Sequence, residues 1–130
     1  MLETESQRPT WAKIDLDNLA LNFHSIRSFV GEDIKQMAVV KANAYGHGAV
    51  ECSRRLETEG VDWFGVAIPE EGLELRNAGI RTPILCLGSF WPGQEPLLVN
   101  NNVTPAIFDI ERAIALDAYA RALDRIVSVH

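Results

Sequence analysis

The sequence predicts an α/β chain: a parallel sheet built from successive strand–helix units, about half of an eight-unit barrel. Three observations lead there. Short apolar runs alternate with helix-patterned stretches along the 130 residues, which is how βα units read. The run Met37–Val40 is apolar on both alternating faces, as strands buried in a parallel sheet are. An eight-unit barrel takes about 250 residues. The chain has room for roughly half of one, and its last run, Arg125–His130, opens a strand with no helix behind it.

Taken in order, Trp11–Asp15 reads as a short leading strand. Asp15 or Asp17 caps the helix that follows, whose stripe is Leu16, Leu19, Phe23, Ile26 and Val30 and which Gly31 stops. The next strand is Gln36–Ala44, and the next helix is His47–Glu59, ended by Gly60. Trp63–Ile68 is a strand. Pro69 fits the first position of a helix running to Gly79, because no N–H is needed there. Pro83–Ser89 follows as a strand, then a proline-bounded loop and a short helix near Glu95–Asn101. Val103–Phe108 is read as a strand despite Pro105, which ladders tolerate only at edges, starts or bulges. Ile110–Asp124 is an amphipathic helix with Ile110, Ala113, Ile114, Ala118 and Leu123 on its apolar side.

Composition narrows the function classes. With 47% hydrophobic and 23% charged residues the chain can bury an ordinary globular core. The net charge is −6 and the 12 basic residues are scattered, so no nucleic-acid stripe forms. No apolar run approaches the roughly 18 residues of a membrane span. Met1–Pro9 is polar and lacks the apolar core of a secretory signal. Cys52 and Cys86 have no CxxC spacing and read as small buried residues in the reducing cytoplasm. His24, His47 and His130 lack a ligand-like spacing, so no metal is expected. The chain is read as one domain, 1–130, with a leading segment at 1–15 and a partial barrel over 16–130.

The chemistry concentrates in Val40–Gly48, VKANAYGHG. A lysine directly after an apolar run sits at the carboxyl end of a buried strand, and in βα barrels that end carries the reactive groups. Apolar walls disfavour the ammonium form, and a neutral amine attacks aldehydes. Gly46 and Gly48 permit a tight strand-to-helix turn whose N–H groups suit an anion. Tyr45 stands between, with a hydroxyl able to reach a phosphate. The set suits an aldehyde that carries a phosphate. The glycine pattern is neither a P-loop nor a dinucleotide fingerprint.

The eleven residues AVVKANAYGHG, Ala38–Gly48, resemble the cofactor-attachment motif of the alanine racemase family. TWAKIDLDNL, EEGLELRNAGI and PILCLGS extend the likeness over nearly the whole chain from Thr10. The resemblance implies the first part of a TIM-type (β/α)8 barrel that binds pyridoxal 5′-phosphate (PLP), preceded by a strand of a second, β-rich domain. It implies that Lys41 carries PLP as a Schiff base and acts as one of two catalytic bases, that Tyr45 holds the cofactor phosphate, and that Leu87 contacts the cofactor. It also implies interconversion of L- and D-alanine, supplying D-alanine for peptidoglycan, by a homodimer in which the partner provides a tyrosine as second base. That tyrosine and most phosphate ligands are absent here, so these 130 residues alone are expected to be inactive. A non-enzymatic PLP homeostasis protein with the same barrel is the alternative.

Other groups read as structural. Trp11, Trp63 and Trp91 are assigned to packing. Glu70, Glu71 and Glu74 suit the positive end of the helix after Pro69 and read as a solvated face. Arg121, Asp124 and Arg125 read as charge pairing at a helix end.

Overall fold

The computed structural model describes residues 10–130, so the expectation for Met1–Pro9 lies outside the described residues. Asp15 is the cap: its Oδ1 accepts the N–H groups of Asp17 and Asn18, each at 3.0 Å, and opens α1, Leu16–Val30. Asp17 pairs instead with Arg55 at 2.7 Å. After α1 come β1 (Met37–Val39), α2 (Lys41–Tyr45) and α3 (Ala49–Thr58). Next are β2 (Trp63–Val66), α4 (Pro69–Asn77), β3 (Ile84–Cys86), α5 (Glu95–Asn100), β4 (Val103–Pro105) and α6 (Ile110–Ala122). The four strands pair in parallel in chain order, β1-β2-β3-β4, with Val39, Gly65, Leu85 and Thr104 in one row.

The two faces of this sheet differ. Phe64, Val66, Ile84, Cys86 and Val103 lie on the helix side and are at most 2% exposed. On the opposite face Met37, Val39 and Leu87 remain 37–39% exposed. In a closed barrel that second face is the packed interior. The open face is therefore apolar without being covered by the described residues.

Several expectations need correction. Each strand is shorter than its apolar run, because only the residues in register exchange ladder bonds. Trp11–Asp15 pairs with none of the described strands, so its expected place in a second sheet has no partner here. Pro105 does close β4: Ala106 N–H, not its own nitrogen, bonds back to Cys86 O at 3.0 Å. Arg125–His130 makes only the beginning of a ladder, with His130 donating to Pro105 O and accepting from Ile107, both at 2.9 Å. On α6 the buried positions are Leu116 and Ala120, while Ile110, Ile114 and Leu123 are exposed. Trp11 and Trp91, assigned to packing, are 80% and 72% exposed. Arg121 pairs with Asp117 at 2.7 Å, and Arg125 bonds Val99 O and Asn102 Oδ1 rather than Asp124.

Charged side chains tie each unit to the loop that enters the next strand. Arg27 of α1 donates to Gly60 O at 3.0 Å and to Asp62 at 2.9 Å. Arg76 of α4 donates to the carbonyls of Ile80, Thr82, Asn101 and Asn102. Glu57 of α3 uses one oxygen, Oε1, to accept Arg81 N–H, Thr82 N–H and the Thr82 hydroxyl at 2.7–2.8 Å. Burial alone would raise the Glu57 carboxyl, but these donors, with Arg76 nearby, hold it below the usual carboxylate range.

A group whose folded pKa is depressed stabilises the fold above its unfolded pKa, about 4.3 for Glu, and loses that contribution as pH falls through the folded value. Glu57→Gln is therefore expected to lower the stability of the whole protein by about 1–2 kcal/mol near neutral pH. In urea unfolding the gap between the two proteins should narrow below about pH 4. A gap independent of pH would show that the ionised carboxylate is not the stabilising form.

Candidate active site

β1 ends with a ladder bond from Val40 N–H to Gly65 O at 2.8 Å, and the chain then turns sharply. Directly after Lys41, four consecutive residues, Ala42, Asn43, Ala44 and Tyr45, have φ between +51° and +56°. They form one left-handed turn, α2. For residues with a Cβ this conformation costs roughly 1–2 kcal/mol each. It explains why the strand stops well before Ala44 and why α3 starts at Ala49 rather than His47.

A dense set of bonds holds the turn. Ala44 N–H donates to Val40 O at 2.9 Å, His47 N–H to Ala44 O at 3.0 Å and Gly48 N–H to Asn43 O at 2.9 Å. The His47 ring adds a contact from Nδ1 to Ala44 O at 2.8 Å. Gly46 continues the positive φ at +85°, where glycine carries no penalty. Asn43 Oδ1 takes the first N–H of α3, that of Ala49, at 2.8 Å. The helix start expected to hold an anion is thus partly filled by the turn itself.

Glu71 supplies the remaining bond. Its Oε1 accepts Ala42 N–H at 2.7 Å, and its Oε2 accepts Ala67 N–H at 2.7 Å. Ile68 N–H lies farther off, at 3.4 Å. Of the three acidic residues after Pro69, read together as a solvated face, Glu71 is half-buried and fully engaged. The available signal was its place three residues after Ile68, where a glutamate reaches back to the helix start. Nothing in that spacing announces the bond to Ala42.

Lys41 itself is half-buried. Among the described residues no carboxylate lies within ion-pair distance of its amine. Leu87 stands on the open face of the sheet: a Cβ on Gly65 would meet its Cδ1 at 3.2 Å, Val39 Cγ2 at 3.3 Å and Met37 Sδ at 3.1 Å. Met37, Val39 and Leu87 therefore pack so closely over Gly65 that even a methyl group there would crowd them, and Val39 stands two residues before Lys41. Tyr45, at the far end of the turn, is 60% exposed and borders a different groove with Lys13, Asp15 and Asn18. That groove, about 720 Å³, does not include Lys41. The structure thus places Lys41 and Leu87 at one end of the sheet, with Tyr45 on the adjoining turn.

The cysteines offer no rival nucleophile. Both are buried and unpaired. Burial pushes the Cys86 thiol up to about 11 and raises that of Cys52, so neither is a thiolate at neutral pH. The end of β3 is also closely fitted, since a Cβ on Gly88 would stand 2.2 Å from Ala67 O.

The family model described as "Alanine racemase, N-terminal domain" matches residues 14–130. This chain belongs to that family. Alanine racemase from Geobacter sulfurreducens is 45% identical over 95% of the chain, and that from Halothermothrix orenii is 42% identical over the same share. The chain spans about a third of the length of these curated relatives, 32% in each case. The solved alanine racemase of Clostridium difficile 630 superposes with a TM-score of 0.90 at 42% identity, over 97% of this chain and 34% of that one. The Bacillus anthracis enzyme with bound L-Ala-P gives 0.80 at 33% identity, over 97% and 32%. The four parallel βα units therefore correspond to the N-terminal part of the alanine racemase barrel.

Proposed function

We propose that the protein of which these residues form a part interconverts L- and D-alanine with PLP, and that Lys41 holds the cofactor. The observation that carries the reading is the placement of Lys41. Of the three lysines in the sequence it alone follows a strand of the parallel sheet at its carboxyl end, while Lys13 and Lys35 are exposed outside any described element. The residues present fit the cofactor: an amine with no described ion-pair partner, a half-exposed apolar surface at Val39 and Leu87, and a phenol on the adjoining turn. The resemblance of the relatives, one of them solved in complex with cycloserine, supports the same reading.

Bound PLP would supply an electron sink for the charge left on Cα when its proton departs. The chain's own residues supply the rest. Lys41 Nζ would hold the cofactor and would take or return the α-proton on one face. The Tyr45 hydroxyl would donate to the phosphate, and Leu87 would wall the ring. The base for the opposite face, a tyrosine from the partner in a homodimer, lies outside this chain. D-alanine for peptidoglycan is the proposed product, made in the cytoplasm, where free buried cysteines remain reduced. In domain terms, 16–130 is the partial barrel and 1–15 a leading segment.

Borohydride reduction of the whole PLP-loaded protein followed by peptide mapping should label Lys41. Label on Lys13 or Lys35 would overturn the assignment. Tyr45→Phe is expected to weaken PLP binding by roughly 1.5–3 kcal/mol, the worth of a hydrogen bond to a charged group. An unchanged PLP Kd would remove Tyr45 from the phosphate site. Residues 1–130 alone, given PLP and L-alanine, should form no D-alanine beyond that formed by free PLP. Production that disappears in Lys41→Ala would show that the second base is dispensable.

A further inference from the structure

We infer that Glu71 is the positioning residue of Lys41. This rests on the reading of Lys41 as the amine that holds the cofactor. The peptide N–H that Glu71 takes with Oε1, that of Ala42, belongs to the bond immediately after Lys41. The other oxygen takes Ala67 N–H, one residue past the end of β2. One carboxylate therefore fastens the first peptide of the left-handed turn to the end of the neighbouring strand. Both bonds are 2.7 Å, the length of charge-assisted hydrogen bonds.

Helix capping does not account for this arrangement. A capping glutamate needs only the local N–H groups, and Ile68 N–H, the local one at the helix start, is the long contact at 3.4 Å. Oε1 instead spans 29 residues of sequence to reach Ala42. Among the described residues Glu71 has no arginine, lysine or histidine in ion-pair contact. Its hydrogen bonds go to main-chain N–H groups.

The two-sided grip requires two acceptors. An ionised carboxylate has them, whereas an amide has one oxygen and one NH2 group. Glu71→Gln thus keeps one bond and sets a donor against a donor at the other. Glu71→Asp retains the charge but is one methylene shorter, so it spans one side only. Either change frees the turn to relax from its left-handed form and moves the Lys41 backbone.

The test uses the whole protein in wild-type, Glu71→Gln and Glu71→Asp forms. Three quantities are measured: absorbance-monitored formation of the PLP–lysine linkage from apoprotein, amide exchange of peptides covering 42–48 and 72–79, and kcat with KM. Linkage formation and kcat should fall in both variants by as much as about a hundredfold, the effect of misplacing a reactive group by about an ångström. KM should change far less. Exchange should quicken in 42–48 while 72–79 stays protected. Unchanged linkage formation, or exchange that quickens only in 72–79, would reduce Glu71 to a helix cap and overturn the role. Borohydride label on Lys41 in the wild-type protein separates the two failures. With the label present, such a result overturns the positioning role alone; with it absent, the reading of Lys41 falls and the role with it.

Discussion

The left-handed turn after Lys41 is the constraint on which the arrangement of this end of the molecule depends. At roughly 1–2 kcal/mol per residue it is a costly way to leave a strand. Net hydrogen bonds return about 0.5–1.5 kcal/mol each, and somewhat more with a charged acceptor. The cost and the return are of similar size, so the turn persists only while nearly all its bonds are made. Val40, Asn43, Ala44, His47 and Glu71 each contribute one or more of them. Strain of this kind persists where surrounding structure over-determines it, and reactive sites are where it collects. Here the strained segment begins at the one lysine that the sheet delivers to its carboxyl end.

The opposite end of the sheet is built for a different purpose. There Arg27, Glu57 and Arg76 reach across from one unit to the loop of the next and saturate main-chain groups. The Arg76 guanidinium meets four carbonyls, which its fixed fork of donors suits better than a lysine ammonium would. Burial lowers its pKa, partly opposed by the Glu57 charge, yet arginine stays protonated at any physiological pH. In parallel βα folds the entry loops secure the register and the exit loops carry chemistry. The division between stability and reactivity therefore follows the strand direction.

Much of this was legible in the sequence. The alternation of apolar runs and helical stripes located all four strands, and Asp15, Gly31 and Pro69 marked helix ends as capping physics requires. Lys41 was legible because charge directly after an apolar run is expensive unless the strand ends there. The left-handed turn was not. Ala42, Asn43 and Ala44 include no glycine to announce it, and it is held by bonds to Val40, His47, Gly48 and Glu71, outside those three residues. The α6 face was misread for a related reason: Ile110 and Ile114 are the more apolar residues, but the buried positions are Leu116 and the smaller Ala120. Periodicity ranks residues by hydrophobicity, whereas close packing selects them by shape.

Gly65 shows how the two faces of the sheet combine in the site. Its neighbours in register, Val39 and Leu85, and the next residue on that face, Leu87, would ordinarily meet over a side chain at this position. Without a Cβ there, the ends of Met37, Val39 and Leu87 close over the glycine, and a Cβ would stand only 3.1–3.3 Å from them. On the helix side the adjacent Phe64 and Val66 are fully buried, so β2 is tightly packed on both faces at this point. The exposed parts of Met37, Val39 and Leu87 form an apolar surface on which a planar apolar group packs better than a hydrated one. Lys41 and the apolar surface at Leu87 therefore lie at the same end of the sheet. The strand supplies the wall, the strained turn supplies the direction of the lysine, and Glu71 fastens the one to the other.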